Sequence, residues 1–276
     1  MRRHPFMIYI WQSKILRYFS RKINQIRFKI FNQGLIQNQI AISKEVILNV
    51  HEDAYYAFRY FTDFDADMVS EMKSFISLTK EKKCFLDIGA HYGIFSLVFS
   101  SNLNTTAFAL DPSPSACRML EHHQHLNSKC QIEVFQLALG DSEGKLQMQS
   151  DISDHFIVTK SDISVIEKFV EVDVTRIDSF IVLKNIIPDV IKIDTEGFEL
   201  NVLKGGIEFL SNYNPIIFLE VHPAFLSQLG YSVEELITFL SQLNYKLYES
   251  NLKLIKNPIS YLSQDIRRVI CCKSPE

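Results

Sequence analysis

The sequence predicts an α/β fold, a doubly wound and mostly parallel sheet with helices on both faces. Two observations lead to this prediction. From residue 66 onward, short apolar runs typical of buried strands alternate with segments of helical periodicity. The first of these runs ends in a turn with two glycines directly before a helical segment, as in ligand-binding turns of such folds. With 276 residues, of which 47% are hydrophobic, the chain can bury one large core.

Each predicted element has a local signal. Strands are predicted at short apolar runs that end at turn residues, and helices where apolar residues recur at every third or fourth position. The predicted helices are 67–78, 93–101, 114–127, 199–203 (closed by Gly205-Gly206) and 233–243. The predicted strands are 83–88, 105–110, 132–137, 190–193 and 216–221, followed by two closing strands at 245–248 and 268–271.

A predicted boundary separates a basic N-terminal arm or accessory segment, residues 1–65, from a Rossmann-like domain, residues 66–276. Nine of the 29 Lys and Arg residues lie in the first 44 positions, which hold no Asp or Glu, so the remainder carries 20 basic against 32 acidic residues. Residues 8–31 have apolar positions at helical spacing with basic residues between them. We interpret them as a helix packed on its own domain, with peripheral contact to an anionic membrane as the alternative. Nucleic-acid binding is not expected.

The cysteines indicate the compartment. There are five, an odd number without C-x-x-C spacing, which predicts reduced and mostly buried thiols. The apolar run at 6–11 is too short to span a membrane, and no signal peptide or transmembrane helix is predicted. The protein is therefore expected in the cytoplasm, at the inner membrane face if its basic arm binds lipid.

The turn at 85–93 is the predicted cofactor site. Gly89 and Gly93 allow a tight turn and a close approach of the backbone to a ligand, while the following helix presents its N-terminus. The dinucleotide fingerprint would require glycine at two further positions, which are His91 and Ile94 here. A pyrophosphate-binding turn is therefore disfavoured.

Two acidic residues favour a different cofactor. Asp87, two residues before the first glycine, would repel a pyrophosphate but suits the sulfonium and amino groups of S-adenosylmethionine. Asp111, at the end of the next strand, can accept both hydroxyls of a ribose. The third strand is followed by backbone that would lie near the adenine. The predicted cofactor-binding residues are Asp87, Gly89, Ala90, His91, Gly93, Asp111, Pro112, Ala138 and Leu139.

Motifs over residues 66–222 resemble those of the FkbM-type methyltransferases. The most specific is the block Ile191-Lys192-Ile193-Asp194-Thr195-Glu196-Gly197-Phe198-Glu199. The other shared motifs are LDIGAHYG at 86–93, LDP at 110–112, VTRID at 174–178, VLKG at 202–205 and FLE at 218–220. Two positions depart from the family pattern, since His91 stands where Asn is usual and Asp111 replaces the commoner Glu. Neither change removes a carboxylate or glycine that cofactor binding needs.

The resemblance implies the class I methyltransferase fold, a Rossmann-like sheet of seven mostly parallel strands, with S-adenosylmethionine as the cofactor. It implies methyl transfer to an oxygen of a carbohydrate, glycolipid or small natural product. Such chemistry needs the nucleophile placed in line with the methyl carbon, and a base if the nucleophile is a hydroxyl. A small-molecule or glycan acceptor is therefore the expected partner. The sequence does not indicate an oligomeric state.

Asp194, Glu196 and His222 are the predicted catalytic residues. Asp194 and Glu196 follow the fourth strand of the predicted sheet and His222 follows the fifth, so all three should face the cleft at the carboxyl ends of the strands. An imidazole titrates near neutrality and could be the base. The alternatives are helix capping for the two acids and for Glu199, and a loop role for His222.

Glu220 and His155 are predicted to bind the acceptor. Glu220 ends the fifth strand, and His155 lies in the polar segment 150–164, which is long enough to form a lid or a substrate-selecting loop. Lys192 stands inside an apolar strand and is predicted to be structural, reaching an acid such as Asp178.

No metal is predicted. Asp194, Glu196, Glu220 and His222 could hold a divalent cation, but their spacing does not require one. The histidines at 122, 123 and 125 are interpreted as a solvated helix face. Two other functions stay open: a nicotinamide-dependent oxidoreductase, which the missing glycines and Asp87 disfavour, and a catalytically inactive nucleotide-binding module at a membrane surface.

Overall fold

The computed structural model of the protein describes residues 39–150, 156–158 and 168–273. The chain from Ile40 onward forms one compact unit. Its helices are α1 (Glu52–Arg59), α2 (Ala66–Thr79), α3 (Ile94–Ser100), α4 (Pro114–Leu126), α5 (Ile177–Lys184), α6 (Glu199–Lys204), α7 (Ile207–Tyr213), α8 (Pro223–Gln228), α9 (Val233–Gln242) and α10 (Pro258–Leu262). One π-helical turn, Tyr60–Phe64, joins α1 to α2.

The strands form three sheets. They are β1 (Gln39–Ala41), β2 (Ile47–Asn49), β3 (Cys84–Ile88), β4 (Thr106–Leu110), β5 (Ile132–Phe135), β6 (Ala138–Leu139), β7 (Gly144–Ser150), β8 (Phe156–Val158), β9 (Lys168–Thr175), β10 (Val190–Ile193), β11 (Ile216–Val221), β12 (Lys246–Glu249) and β13 (Arg267–Cys272). The main sheet has seven strands in the order β12-β13-β11-β10-β3-β4-β5. Its five strands from β11 to β5 pair in parallel, and β13 is antiparallel to both of its neighbours. This confirms the predicted fold class.

Two smaller sheets flank the main one. β1 pairs with β2, and β6, β9, β7 and β8 form a four-stranded sheet in that order. Neither was predicted from the sequence. β7 alternates lysine and glutamine with its few apolar residues, so it lacks the continuous apolar run that marked the central strands. Of the predicted polar segment 150–164, residues 156–158 form β8 and most of the remainder, with His155, lies outside the described residues.

Helices cover both faces of the main sheet, as predicted. On one face, apolar residues of α5 to α10 pack against side chains such as Leu86, Ile191 and Leu219. On the other face, β1, β2, α1, α2 and α3 pack against side chains such as Phe85 and Phe218. In the part of the chain that the structure describes, none of the helices combines the length and apolar character needed to cross a bilayer.

Charged residues lie along the second of these faces. Side chains alternate between the two sides of a strand, so Lys192 projects away from the core that holds Ile191 and Ile193. Lys192 is opposite Asp87 on β3, and Glu220 on β11 is opposite Arg268 on β13. Acidic and basic residues therefore alternate across four strands, close to the carboxyl ends of the parallel ones.

Candidate active site

The turn after β3 brings two strands together at the point where strand order reverses. Gly89 has a φ of 79°, and a Cβ there would overlap the carbonyl oxygen of Asp194. Gly93 has a φ of 80°, and a Cβ there would lie 2.6 Å from Leu120 Cγ. Both glycines are required by the fold itself, because a side chain would collide with neighbouring protein atoms. At Gly89 this close approach places Asp194 directly beside the turn.

Asp111 is held in place by backbone groups. Its Oδ2 accepts the His91 N–H at 2.8 Å, and its Oδ1 accepts the Ser113 N–H at 2.9 Å. The His91 residue itself has a φ of 49°, and its ring stacks on Tyr92 with centroids 3.8 Å apart. Both Asp111 and the adjacent Pro112 are half-buried. A carboxylate oriented in this way keeps lone pairs for hydroxyl donors.

Asp87 lies beneath the turn. It is 2% exposed, and its Oδ2 accepts a hydrogen bond from Ser96 Oγ at 2.6 Å. Burial raises the pKa of Asp87 to about 6, against the opposing effects of the Ser96 hydrogen bond and the Lys192 charge. Its predicted contact with the cofactor remains a prediction, and from this position it would act through its charge.

Ala138 and Leu139 reach the same region through a short strand of the four-stranded sheet. Both are buried in β6. The backbone just before them is tied to Asp111, whose carbonyl accepts the Leu137 N–H at 3.2 Å. Ala138 and Leu139 therefore follow a backbone segment that lies beside the end of β4. Their contact with adenine stays a prediction.

The predicted catalytic residues converge at the ends of β10 and β11. His222 Nε2 lies 3.5 Å from Glu196 Oε2, 3.8 Å from Glu220 Oε1 and 4.0 Å from Asp194 Oδ1. The side chains of Asp194 and Glu196 are 33% and 25% exposed, whereas that of His222 is 3% exposed. The side chains of Asp194 and Glu196 therefore reach solvent at this edge of the sheet, which is the opening of the candidate site. The His222 imidazole lies behind them.

The turn after β10 holds Glu196 in an unusual backbone conformation. Glu196 has a φ of 50° and Gly197 a φ of 104°. A Cβ at Gly197 would overlap Phe225, which explains the glycine. A non-glycine residue in the left-handed region costs about 1–3 kcal/mol, and such strain clusters at functional sites.

Glu199 is the residue closest to His222. Its Oε1 lies 2.7 Å from His222 Nδ1 and accepts the Gly197 N–H at 2.8 Å. The Glu199 side chain is fully buried. Burial alone would lower the pKa of His222, but the hydrogen bond and charge of Glu199, followed by the charges of Glu196 and Asp194, raise it to about 10. His222 is therefore an imidazolium at neutral pH in this arrangement.

Lys192 and Arg268 supply buried positive charge that the sequence analysis did not place in the site. Lys192 Nζ lies 3.4 Å from Asp194 Oδ2 and 3.8 Å from Glu71 Oε1. Arg268 donates to Glu220 Oε1 at 2.7 Å, and its Nε lies 3.4 Å from Glu71. The sequence predicted that Lys192 is structural and reaches an acid such as Asp178. Lys192 is buried and does reach acids, but Asp178 is not one of them.

Asp178 has other partners. It pairs with Arg176 at 2.9 Å and accepts the Phe209 N–H at 2.9 Å, so it anchors the start of α7. Lys192 instead points to the opposite face of the sheet, as strand alternation requires. No sequence signal could identify Glu71 or Arg268, because α2 and β13 are brought to Lys192 only by the tertiary fold.

The carboxyl groups of Asp194 and the buried Glu220 have pKa values shifted in opposite directions. Burial alone would raise the pKa of Asp194, but the positive charges of Lys192 and His222 hold it well below its usual range. Burial and the negative charge of Asp194 raise the pKa of Glu220 to about 8, against the effects of Lys192 and Arg268. Lys192 and His222 thus hold the solvent-facing Asp194 ionised, and the charge of Asp194 favours the protonated form of Glu220.

One group of side chains has the spacing of a metal site. Donor atoms of Asp194, Glu220 and His222 lie within 4.8 Å of one another. Lys192 already lies beside Asp194 and Arg268 beside Glu220, so the charges in this group do not call for an added ion. That no metal takes part remains a prediction.

The histidines of α4 do not all face solvent as interpreted. His123 is fully buried. Both of its ring nitrogens have partners inside the protein, since Nδ1 donates to the Tyr92 carbonyl at 2.8 Å and Nε2 accepts the His51 N–H at 3.1 Å. Burial lowers the pKa of His123 to about 4. This neutral histidine links the cofactor turn to the segment before α1, so the solvated interpretation is wrong at this position.

Comparison with known proteins agrees with the motifs. Residues 87–247, more than half of the chain, match the family model described as "Methyltransferase FkbM domain". No curated protein matches the sequence. The chain is similar to a solved FkbM methyltransferase from Methylobacillus flagellatus KT, with 14% identity, 95% of this chain and 60% of that chain covered, and a TM-score of 0.44. It thus spans about 60% of that protein's length.

Two further solved structures are similar at low identity. An O-methyltransferase from Bacillus cereus in complex with SAH is 8% identical, with 90% of this chain and 96% of that chain covered and a TM-score of 0.43. A TehB-like SAM-dependent methyltransferase from Corynebacterium glutamicum ATCC 13032 is 11% identical, with 80% and 95% covered and a TM-score of 0.42.

Proposed function

The chain belongs to the FkbM methyltransferase family, and we propose that it transfers the methyl group of S-adenosylmethionine to a hydroxyl oxygen of a small-molecule acceptor. Family membership supports methyl transfer as the reaction, with S-adenosylmethionine as the donor. The observation that carries the finer assignment is Asp194, an ionised and one-third exposed carboxylate beside the Gly89 turn. It is placed to accept a hydrogen bond, and then a proton, from a hydroxyl.

The residues of the β3 turn fit this cofactor. The Asp111 carboxylate is oriented by two backbone N–H groups and can only accept hydrogen bonds when ionised, which suits the two hydroxyls of a ribose. Asp87, Asp194 and Glu196 add negative charge around the turn, which suits a cofactor with sulfonium and amino groups. We propose the same nine residues named from the sequence as the cofactor-binding set.

The protein's part in the reaction is to position and deprotonate the acceptor. Bound S-adenosylmethionine supplies a methyl carbon whose bond to sulfur breaks as the bond to the acceptor oxygen forms. The acceptor hydroxyl becomes acidic as that bond forms, so a weakly basic carboxylate such as Asp194 can take its proton. Lys192, at 3.4 Å from Oδ2, keeps Asp194 ionised and leaves Oδ1 for the acceptor.

Glu196 and His222 have supporting roles in this proposal. Glu196 offers a second carboxylate at the opening, where it can orient the acceptor through another of its hydroxyls. His222 as an imidazolium has no free lone pair to accept a proton, so its proposed role is to balance the charge of the surrounding acids. Glu220 is proposed to contact the acceptor from beside Asp194.

The acceptor is proposed to be a carbohydrate, glycolipid or small natural product. Several carboxylates at one opening favour a ligand with several hydroxyl donors and disfavour one that carries phosphate or carboxylate groups. His155 as an acceptor contact, and peripheral membrane contact through residues 8–31, lie outside the described residues and stay predictions.

The cofactor assignment can be tested by thermal unfolding with and without S-adenosylhomocysteine. A ligand at about 100 times its dissociation constant adds roughly 2.7 kcal/mol to the free energy of unfolding. We expect this stabilisation in the wild type and its loss in Asp111→Asn. The asparagine NH₂ group is a donor, so it cannot accept the hydrogen bond that a ribose hydroxyl would donate to the aspartate oxygen at that position. Exposed Asp265→Asn is the matched control and should keep it. Stabilisation by NAD instead would support the oxidoreductase alternative.

The catalytic assignment can be tested with Asp194→Asn and a panel of hydroxylated acceptors. We expect a loss of about 10²- to 10⁴-fold in the rate of S-adenosylhomocysteine release, the usual worth of a general base. Binding of S-adenosylhomocysteine, which lacks the sulfonium charge and keeps the Asp87 and Glu196 carboxylates nearby, should stay within about threefold of wild type. Full activity in the variant would remove Asp194 from the mechanism. Cofactor binding without turnover on any acceptor would favour the inactive-module alternative.

A further inference from the structure

We infer that Glu199 is a positioning residue that fixes the orientation of the His222 ring and, through that ring, the arrangement of the Asp194 and Glu196 carboxylates. The inference rests on the proposed function, because it assigns a task within the same site. The sequence alone favours helix capping for Glu199, as an acid in the first turn of α6. The contacts of its side chain show more than that.

The Glu199 carboxylate joins two separate parts of the site. Its Oε1 binds the Gly197 N–H in the turn after β10 and His222 Nδ1 after β11, at 2.8 and 2.7 Å. His222 is 23 positions away in sequence, so this contact lies outside the reach of ordinary helix capping. One oxygen therefore connects the turn that carries Glu196 to the strand end that carries the imidazole.

Burial makes this contact strong. Glu199 is fully buried and His222 is 3% exposed. A buried carboxylate without a charged partner is costly, and the partner that the structure gives Glu199 is the imidazolium. Its second oxygen, Oε2, has no hydrogen-bond partner in the structure. The pair is thus held by a single short bond, and rotation of the His222 ring would break it.

The orientation of the His222 ring determines which ring nitrogen faces the carboxylates of Asp194 and Glu196. With Nδ1 held by Glu199, Nε2 faces Glu196 at 3.5 Å and Asp194 at 4.0 Å. The Nε2–H of the imidazolium then lies between the two carboxylates that reach the opening. Glu199 thereby acts on the acceptor site through His222, without contacting the acceptor itself.

The experiment uses the full chain labelled with ¹⁵N-histidine, comparing wild type, Glu199→Gln and a matched control, Glu208→Gln. Gln keeps the size of the side chain and one acceptor oxygen but removes the charge. Glu208 is likewise a first-turn acid of a short helix but is exposed. The His222 signals are assigned by their loss in His222→Gln.

We expect His222 to be protonated on both nitrogens at pH 7 in the wild type and in Glu208→Gln. In Glu199→Gln its titration should move down by more than one pH unit, a tenfold change in proton affinity. The groups that face His222 and contribute to this titration are Asp194, Glu196, Glu199 and Glu220, with Lys192, Arg268 and Glu71 behind them. Unchanged His222 signals in Glu199→Gln would overturn the inference.

Kinetics with an acceptor identified in the panel give the second readout. Glu199→Gln should lower kcat by about 10- to 100-fold, with a shifted pH profile, less than the worth of a general base. Binding of S-adenosylhomocysteine should change less than threefold. If Glu199→Gln does not fold, Glu199→Asp retains the charge but shortens the side chain, and normal kcat in that variant would overturn the inference. Absence of turnover in the wild type would contradict only the proposed function, since the NMR result stands without an acceptor.

Discussion

Asp87 shows how burial changes the effect of an acid on stability. Its pKa in the folded protein is about 6, above the value of about 3.9 for an exposed Asp. The folded state therefore holds a proton that the unfolded chain has lost between about pH 4 and pH 6, and stability falls as the pH rises through this window. The full effect is about 2–3 kcal/mol.

We expect Asp87→Asn to flatten this pH dependence. The amide can still accept the Ser96 hydrogen bond but cannot titrate, so the free energy of unfolding should fall less between pH 4 and pH 6 than in the wild type. Urea unfolding across these pH values measures the slope. Asp265→Asn, an exposed acid, is the control and should leave the slope unchanged. Equal slopes in wild type and Asp87→Asn would contradict the buried assignment.

Single residues were predictable where a strand end or a motif marked them. Asp111 and Asp194 both stand directly after an apolar strand, and the structure places both at the expected edge of the sheet. Lys192 was predicted to be structural, but the acid named for it, Asp178, is not its partner, and no role was predicted for Arg268. Their partners come from α2 and β11, and the distances to them are set by packing between elements that are remote in sequence.

At the scale of elements, the contact between the β3 turn and the end of β10 depends on Gly89. A side chain there would collide with the Asp194 carbonyl in addition to the cost of its positive φ. We expect Gly89→Ala to lower the free energy of unfolding by about 2–5 kcal/mol, combining roughly 1–2 kcal/mol for the left-handed backbone with about 1–3 kcal/mol for overpacking.

Gly230→Ala is the matched control for this prediction. Gly230 has a φ of 83°, similar to that of Gly89, but a Cβ there would meet no atom within 4 Å. Its substitution should cost only the backbone term, about 1–2 kcal/mol. Urea unfolding of the two variants separates backbone strain from collision. Equal losses would show that the close approach to Asp194 has no energetic weight.

Element prediction succeeded for the central sheet and failed at its surroundings. β10 and β11 were predicted with the observed bounds, because both are buried on two faces and read as continuous apolar runs. β7 and β9 were missed because one face of this antiparallel pair is exposed, so polar residues interrupt the apolar pattern. α5 was also missed. Its apolar residues include Val182 and Leu183, both 79% exposed, so its sequence shows no clear amphipathic period.

At the scale of the whole molecule, α1 packs into the same hydrophobic core as β3, the strand that precedes the predicted cofactor turn. Phe58 of α1 is 2% exposed and lies in the cluster that contains Phe85 of β3. We expect Phe58→Ala to cost about 3–5 kcal/mol and to lower the Tm of a single unfolding transition by about 2–4 °C per kcal/mol. Calorimetry with S-adenosylhomocysteine shows whether the cofactor site unfolds in that same transition.

Phe64→Ala provides the comparison, since Phe64 is 50% exposed at the end of the π-helical turn. Its Tm should stay within about 2 °C of the wild type, as expected for surface substitutions of about 0.5 kcal/mol. A separate early transition in Phe58→Ala, with the cofactor-stabilised transition unmoved, would show that α1 unfolds independently of the sheet.

The sequence by itself determined the fold class and the family, and it predicted the cofactor and the two strand ends of the candidate site. These follow from local patterns, because a buried parallel strand must be apolar and a turn at its end must hold particular glycines and acids. Tertiary structure alone decided the charge of each group. The pKa of Asp194 is lowered and those of Glu220 and His222 are raised because buried partners from four strands and two helices meet there. Electrostatic energy depends on distance in space and on burial.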